Sequence, residues 1–261
     1  MVTWNDAISH RGSQNIRAAQ KFDNCFERPA SMKTYRMQIP LSESDARQLR
    51  VGDIVYLDGR IHTGRALVYQ YVLEQGHEPP IDLAGTSNVQ MHGAPAGAEG
   101  ELGKYRISSI QATASFRYGK WVPEYVRRFG IRAIIGKAGM DSAIYRDVFS
   151  KTGTVFLTTV GYGVAALYGR GVQNVEAVYW KEELGLPEAM WVIEVKNFGP
   201  FIVDGDCTGA SLADQAISEI NPQFAATYAN MPPHILKRMG EITHSLDQEV
   251  IAGNAGCPDP D

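Results

Sequence analysis

The chain has 261 residues, 44% hydrophobic and 21% charged, which suits one large globular domain or one domain with extensions. Its net charge of −4 argues against non-specific nucleic-acid binding, which needs a basic surface. No run of about eighteen apolar residues occurs, so no membrane-spanning helix is expected. The first twenty residues lack the apolar stretch of a secretory signal, and the expected location is cytoplasmic.

Residues 1–36 show no clean period, and Arg28-Pro29 breaks any helix there, so they read as an extension that orders against a partner. Arg36 to Pro40 alternates as a strand. Ser42 heads a helical turn, with Asp45 at capping-box distance. Val51 to Gly59 reads as turn, strand and turn, and Ile61 to Thr63 as a second strand. Ala66 to Gln75 has helical spacing and is closed by Pro79-Pro80. Asn88 to His92 alternates as a strand, Gly93 to Gly103 is a Gly- and Ala-rich loop, and Tyr105 to Thr113 alternates again.

Val122 to Phe129 is an amphipathic helix with Gly130 as its C-terminal stop. Ile131 to Ile135 reads as a short buried strand, Asp141 to Ser150 as a helix and Thr154 to Val160 as a β-branched strand. Gly163 to Tyr168 starts another helix. Val175 to Trp180, Met190 to Val195 and Phe201 to Asp204 are three further strands. From Ala210 the chain looks helical, broken at Asn221-Pro222 and Pro232-Pro233, with a loose tail after Gly253. The fold class is α/β, in layers of sheet and helix. The expected division is an extension at 1–36, a main domain at 37–215 and a helical extension with a tail at 216–261.

Cys25, Cys207 and Cys257 lie far apart, with no C-x-x-C pair, so neither a zinc site nor a self-contained iron–sulfur cluster is expected. Gly130 to Ala138 is spaced like a defective phosphate loop. Five residues separate its glycines where the motif needs four, and Ala138 stands where a magnesium-binding hydroxyl belongs. What survives is a strand end feeding a glycine turn that carries Lys137, placed to pair with an anion. Thr159 to Ala166 fits a loose G-x-G-x-x-A, although glycine at a tight strand-to-helix turn needs no cofactor to explain it.

Thr63-Gly64-Arg65 places an arginine after a strand and before a helix, where it can grip a carboxylate with two parallel hydrogen bonds. Arg117 follows Ser108 to Ser115, a segment dense in small and hydroxyl residues that lets a ligand approach the backbone. These basic and hydroxyl side chains have no acidic partner close by in sequence, which suits a small dicarboxylate. His62 and His92 lie near strand ends. A structural role is the simplest reading of each, and His92 also joins Arg65, Arg117 and Lys137 as a substrate-binding candidate. G-x-S-x-G is absent.

These residues together resemble a known pattern. From about Ile39 to Leu212 the chain resembles the β subunit of L(+)-tartrate dehydratase and the C-terminal domain of class I fumarases. Gly52 to Gly59 looks like the family's opening strand, and Thr63-Gly64-Arg65 is similar to its Thr-Ala-Arg. Thr113 to Arg117 stands where the family has Thr-Thr-Ser-x-Arg, and Gly136 to Met140 resembles Gly-Lys-Gly-Gly-Met. Leu186 to Trp191 and Val195 to Pro200 match Met-Pro-Glu-x-x-Trp and Val-Lys-x-Phe-Gly-Pro. Asp206 to Gly209 follows Asp-x-x-Gly.

The resemblance implies a swivelling β/β/α domain and an iron–sulfur hydro-lyase that reversibly removes water from a hydroxy-dicarboxylate. It implies a hetero-oligomer in which an α subunit carries the [4Fe–4S] cluster and this chain ligates none of it. By carry-over, Thr113 is the base, assisted by Lys137, while Arg65, Arg117 and Lys137 hold carboxylates. Departures fall in the lining. Ala112 and Ala114 replace Pro and the second Thr, Tyr118 replaces Met, and the family's Arg-Asp-x-x-His reads Arg65-Ala66-Leu67-Val68-Tyr69. Two other readings stay open, a non-catalytic subunit of such a complex and a stand-alone carboxylate-binding module.

Overall fold

The computed structural model describes residues 32–100, 104–161, 163–228, 234–236 and 250–252. Residues 1–31 of the expected extension, the Pro232-Pro233 break and the tail after Gly253 lie outside them. Two compact units divide the chain between Asp214 and Gln215.

The first unit is built on one twisted sheet. Strand β1 (Thr34–Gln38) leads to helix α1 (Glu43–Gln48), whose capping box is present in full. The Ser42 hydroxyl accepts the Asp45 N–H, and the Asp45 carboxylate accepts the Ser42 N–H. Strand β2 is one piece, Ile54–Thr63, where the sequence suggested a turn at Asp58-Gly59. Gly59 takes φ +120° and the pairing register shifts beside it, so the glycine makes a bulge and the strand runs on. Helix α2 (Ala66–Tyr69) continues as a π-helical turn, Gln70–Glu74, and a short α3 (Leu83–Thr86) precedes β3 (Val89–Met91).

Gly93 to Gly103 was expected to be loop, but Gly93–Glu99 forms strand β4, antiparallel to β5 (Tyr105–Ala112). Glycine and alanine are poor strand formers alone. Here the hairpin partner supplies the ladder, and local propensity gives way to tertiary pairing. Helix α4 (Val122–Phe129) ends at Gly130 with φ +61°, as its sequence predicts. Strand β6 (Ala133–Gly136) and helix α5 follow, the helix made of Ser142–Ile144, a π turn Tyr145–Phe149 and Ser150–Thr152. Then come β7 (Val155–Thr159), α6 (Ala165–Gly169), β8 (Val172–Tyr179) and α7 (Lys181–Leu184). The last two expected strands are a single one, β9 (Met190–Gly205), which bends without breaking.

Neighbouring strands run β1-β2-β3-β6-β7-β9-β8, and β2 also pairs with β9. That extra pairing closes β2, β3, β6, β7 and β9 into a ring. The first four are parallel and β9 is antiparallel to its neighbours. Alternate side chains fill two cores. Ala133, Ile135, Val155 and Leu157 join one with Val55, Ile61 and Val203, whereas Ile134 and Phe156 join the other with Tyr69, Tyr125 and Phe149 from the helices. Burial on both faces explains the apolar runs Ala133 to Ile135 and Val155 to Leu157 within β6 and β7.

The chain next forms α8 (Leu212–Tyr228), which runs through Pro222 where a break was expected. In the second unit His234–Leu236 pairs antiparallel with Val250–Ala252. No helix among the described residues is long and apolar enough to cross a membrane.

Candidate active site

Because β2, β3, β6 and β7 are parallel, their carboxyl ends share one rim. The start of the antiparallel β9 joins them there. Main-chain hydrogen bonds sew this rim together. Gly64 N–H donates to the Met91 carbonyl at 3.0 Å and His92 N–H to Ile135 at 2.8 Å. Thr113 N–H donates to the His92 carbonyl at 2.6 Å, Lys137 N–H to Thr113 at 3.3 Å, and Ser115 N–H to Lys137 at 2.9 Å. Ala114 and Lys137 form a parallel bridge. Segments that are distant in sequence thus place Thr113, Lys137 and His92 side by side. Arg65 follows the adjoining strand end, and Arg117 lies two residues past Ser115.

Two glycines permit this closeness. A Cβ on Gly136 would lie 1.9 Å from Ser115 Oγ, and one on Gly64 would lie 2.2 Å from Gln90 Nε2. A larger residue at Gly136 would press on both Ser115 and Phe156, whereas one at Gly64 would displace the Gln90 side-chain amide.

Arg65 is gripped from across the rim. Its guanidinium pairs with Glu188 at 3.1 Å and donates to the Pro187 carbonyl at 3.1 Å, while Nε is buried without a hydrogen-bond partner. The other Glu188 oxygen accepts the Leu67 N–H at 3.1 Å. Arg65 is the N-cap of α2 and makes no side-chain cap bond, so Glu188 satisfies that helix start. The acidic partner that is missing locally is therefore supplied by the turn before β9. The sequence held one clue, the Leu186-Pro187-Glu188 motif, to which no role had been attached.

His92 is fully buried. Its Nδ1 is 2.8 Å from Ser115 Oγ and its Nε2 is 2.6 Å from the Tyr69 hydroxyl, which donates onward to Gln90 Oε1 at 2.7 Å. Burial is the main force lowering its pKa, to about 3, with His62 and Arg117 adding repulsion. The ring is neutral at ordinary pH, and both of its nitrogens are engaged by protein. His62 is also buried, bonded to Ser87, and desolvation lowers its pKa to about 4. Tyr118, noted in the sequence only as a departure, packs on both Tyr69 and His92 with ring centroids 5.7 and 4.8 Å apart.

Arg117 is exposed beside the exposed Phe116, and its guanidinium lies 5.4 Å from the Tyr118 ring. The Lys137 turn continues through Ala138 and Gly139, both at φ +61°. Tyr145 secures that turn by accepting the Met140 N–H at 2.9 Å and donating to Asp204 at 3.0 Å. Desolvation raises the pKa of Asp204.

Among the described residues, no three His, Cys, Asp or Glu side chains gather as a metal site. Cys207 is buried, its thiol donates to the Thr154 carbonyl at 3.3 Å, and burial pushes its pKa up to about 11. Cluster ligands are thiolates, so Cys207 does not fit that role. Cys25 and Cys257 lie outside the described residues.

Four parallel strands and the antiparallel β9 form a ring with Thr113, Lys137 and Arg65 at one rim, the architecture of a mixed α/β protein. The chain belongs to the family described as Fumarase C-terminus, whose pattern matches residues 10–216. It is 35% identical over 183 residues to a protein of Methanocaldococcus jannaschii provisionally named L(+)-tartrate dehydratase subunit beta, covering 69% of this chain and 91% of that one. It is 31% identical over 175 residues to the L(+)-tartrate dehydratase subunit beta of Escherichia coli K12, covering 66% and 83%. A Geobacillus stearothermophilus protein provisionally named fumarate hydratase class I is 35% identical over 176 residues, which span 67% of this chain and 33% of that relative.

Proposed function

We propose that this chain is the β subunit of a two-chain hydro-lyase that reversibly removes water from a small hydroxy-dicarboxylate such as tartrate or malate. The observation that carries this reading is the rim, where Thr113, Lys137 and His92 are joined by main-chain bonds with Arg65 and Arg117 alongside. Membership of the fumarase C-terminus family and the names of the relatives support it.

In this reading Arg65, Arg117 and Lys137 take the two carboxylates and stabilise the negative charge that develops as the proton leaves carbon. Thr113 oxygen receives that proton. A threonine hydroxyl is a weak base, and cations in a site closed from water favour its alkoxide. His92 orients Ser115. A [4Fe–4S] cluster on an α chain would supply a Lewis acid for the leaving hydroxyl. The domain at 37–215 would swivel against that chain to close the cleft.

Anaerobic affinity purification of the tagged chain from its host tests this. A cysteine-rich partner, bound iron and dehydration of tartrate or malate are expected. A colourless single chain that leaves both acids unchanged would overturn it.

A further inference from the structure

The rim residues that bear charge stand on separate loops, and one buried chain of side chains links those loops from beneath. Tyr69 belongs to the helix that begins at Arg65. Ser115 sits between Thr113 and Arg117, with its N–H on the Lys137 carbonyl. His92 lies between them and touches both hydroxyls, at 2.6 and 2.8 Å. Gln90, two residues before it, ends the chain at Tyr69. Tyr69, Gln90, His92 and Ser115 are all fully buried.

One assignment of donors and acceptors runs through the whole chain. Tyr69 O–H is committed to Gln90 Oε1, so its oxygen accepts from His92 Nε2–H. His92 Nδ1 then bears a lone pair and accepts from Ser115 O–H. Ser115 Oγ also lies 3.4 Å from the Thr113 carbonyl, and Gln90 Nε2 is buried without a hydrogen-bond partner. An aromatic cage closes around the hub. Trp121 stacks on Tyr69 with centroids 5.8 Å apart, and Tyr118 meets the His92 ring edge to face.

We infer that Ser115, His92, Tyr69 and Gln90 form a positioning relay that locks the Thr113–Arg117 segment and the Lys137 turn to the Arg65 helix, so that the rim is set before substrate arrives. His92 acts through Ser115 and does not meet substrate. The relay rests on the hydro-lyase reading for its chemical purpose. Its mechanical content can be tested separately.

The test is a double-mutant cycle on Tyr69→Phe and Ser115→Ala, two sites joined through His92. The probe is the acid that the wild-type complex turns over. Each single substitution is expected to lower kcat about 10-fold with KM changed less than about 3-fold, as for a small misplacement of reacting groups. The double variant is expected to match the worse single, because either change alone breaks the relay. Unchanged singles, or losses that multiply to about 100-fold, would overturn it.

If the wild-type complex turns over neither tartrate nor malate, the hydro-lyase reading falls and amide hydrogen exchange decides the relay. Faster exchange at Ser115 in Tyr69→Phe would sustain it, and unchanged exchange would overturn it.

Discussion

Glu188 pairs with Arg65 at 3.1 Å and, through its second oxygen, holds the Leu67 N–H of the helix that Arg65 begins. One carboxylate therefore fixes both the direction of the guanidinium and the start of its helix. Glu188→Gln keeps the shape and a helix-capping oxygen but removes the charge that aims Arg65. Stability is expected to change by less than about 1 kcal/mol, as for a partly exposed ion pair. KM for the dicarboxylate is expected to rise about fivefold, or about 1 kcal/mol. Urea unfolding and steady-state kinetics on the same variant check both.

Ala138 holds φ +61° beside Lys137, where an L residue with a Cβ is strained. Tyr145 and Asp204 keep the turn in place around it. Ala138→Gly would relieve about 1–2 kcal/mol of strain and lose about 0.5–1 kcal/mol to the freer unfolded chain. A net gain between zero and about 1.5 kcal/mol is expected in chemical denaturation. Gly136→Ala is the opposite case, since its Cβ would lie 1.9 Å from Ser115 Oγ and 3.0 Å from Phe156. It is expected to lower turnover more than Ser115→Ala does, read in the same assay.

Both buried histidines are more acidic in the fold than in the open chain, about 4 for His62 and about 3 for His92 against 6.5. Below pH 6.5 the unfolded chain binds protons that the folded chain refuses. The contribution is therefore complete above pH 6.5 and is lost as pH falls toward the folded values. Each histidine is expected to remove about 1.4 kcal/mol per pH unit once well below 6.5. Unfolding free energy measured from pH 7.5 to 5 should fall, and His62→Gln should flatten the curve. Equal stability across that range would mean that neither histidine is held neutral by the fold.

Much of the rim was legible in the sequence because its main-chain demands leave local marks. Gly64, Gly136 and Gly139 sit at close approaches or at positive φ, and the Ser42 capping box is a four-residue signal. Other features depend on distant partners. Gly93 to Glu99 becomes a strand only because β5 lies beside it, and Gly59 bends β2 where a turn looked equally good. Glu188 could not be assigned to Arg65 from spacing, since the closing of the β2–β9 pair brings them together. Tyr69 and Tyr118 registered only as departures from a pattern. Their contact with each other and with His92 exists in the packed core alone.

Thr113 is the proposed proton acceptor of the two-chain hydro-lyase. The most direct measurement is the turnover of tartrate and malate by the purified complex carrying Thr113→Ala, beside the wild type, with assembly confirmed by gel filtration. An intact complex is expected, with kcat lowered about 10²- to 10⁴-fold, the range for loss of a general base. An assembled complex that turns over at the wild-type rate would contradict it.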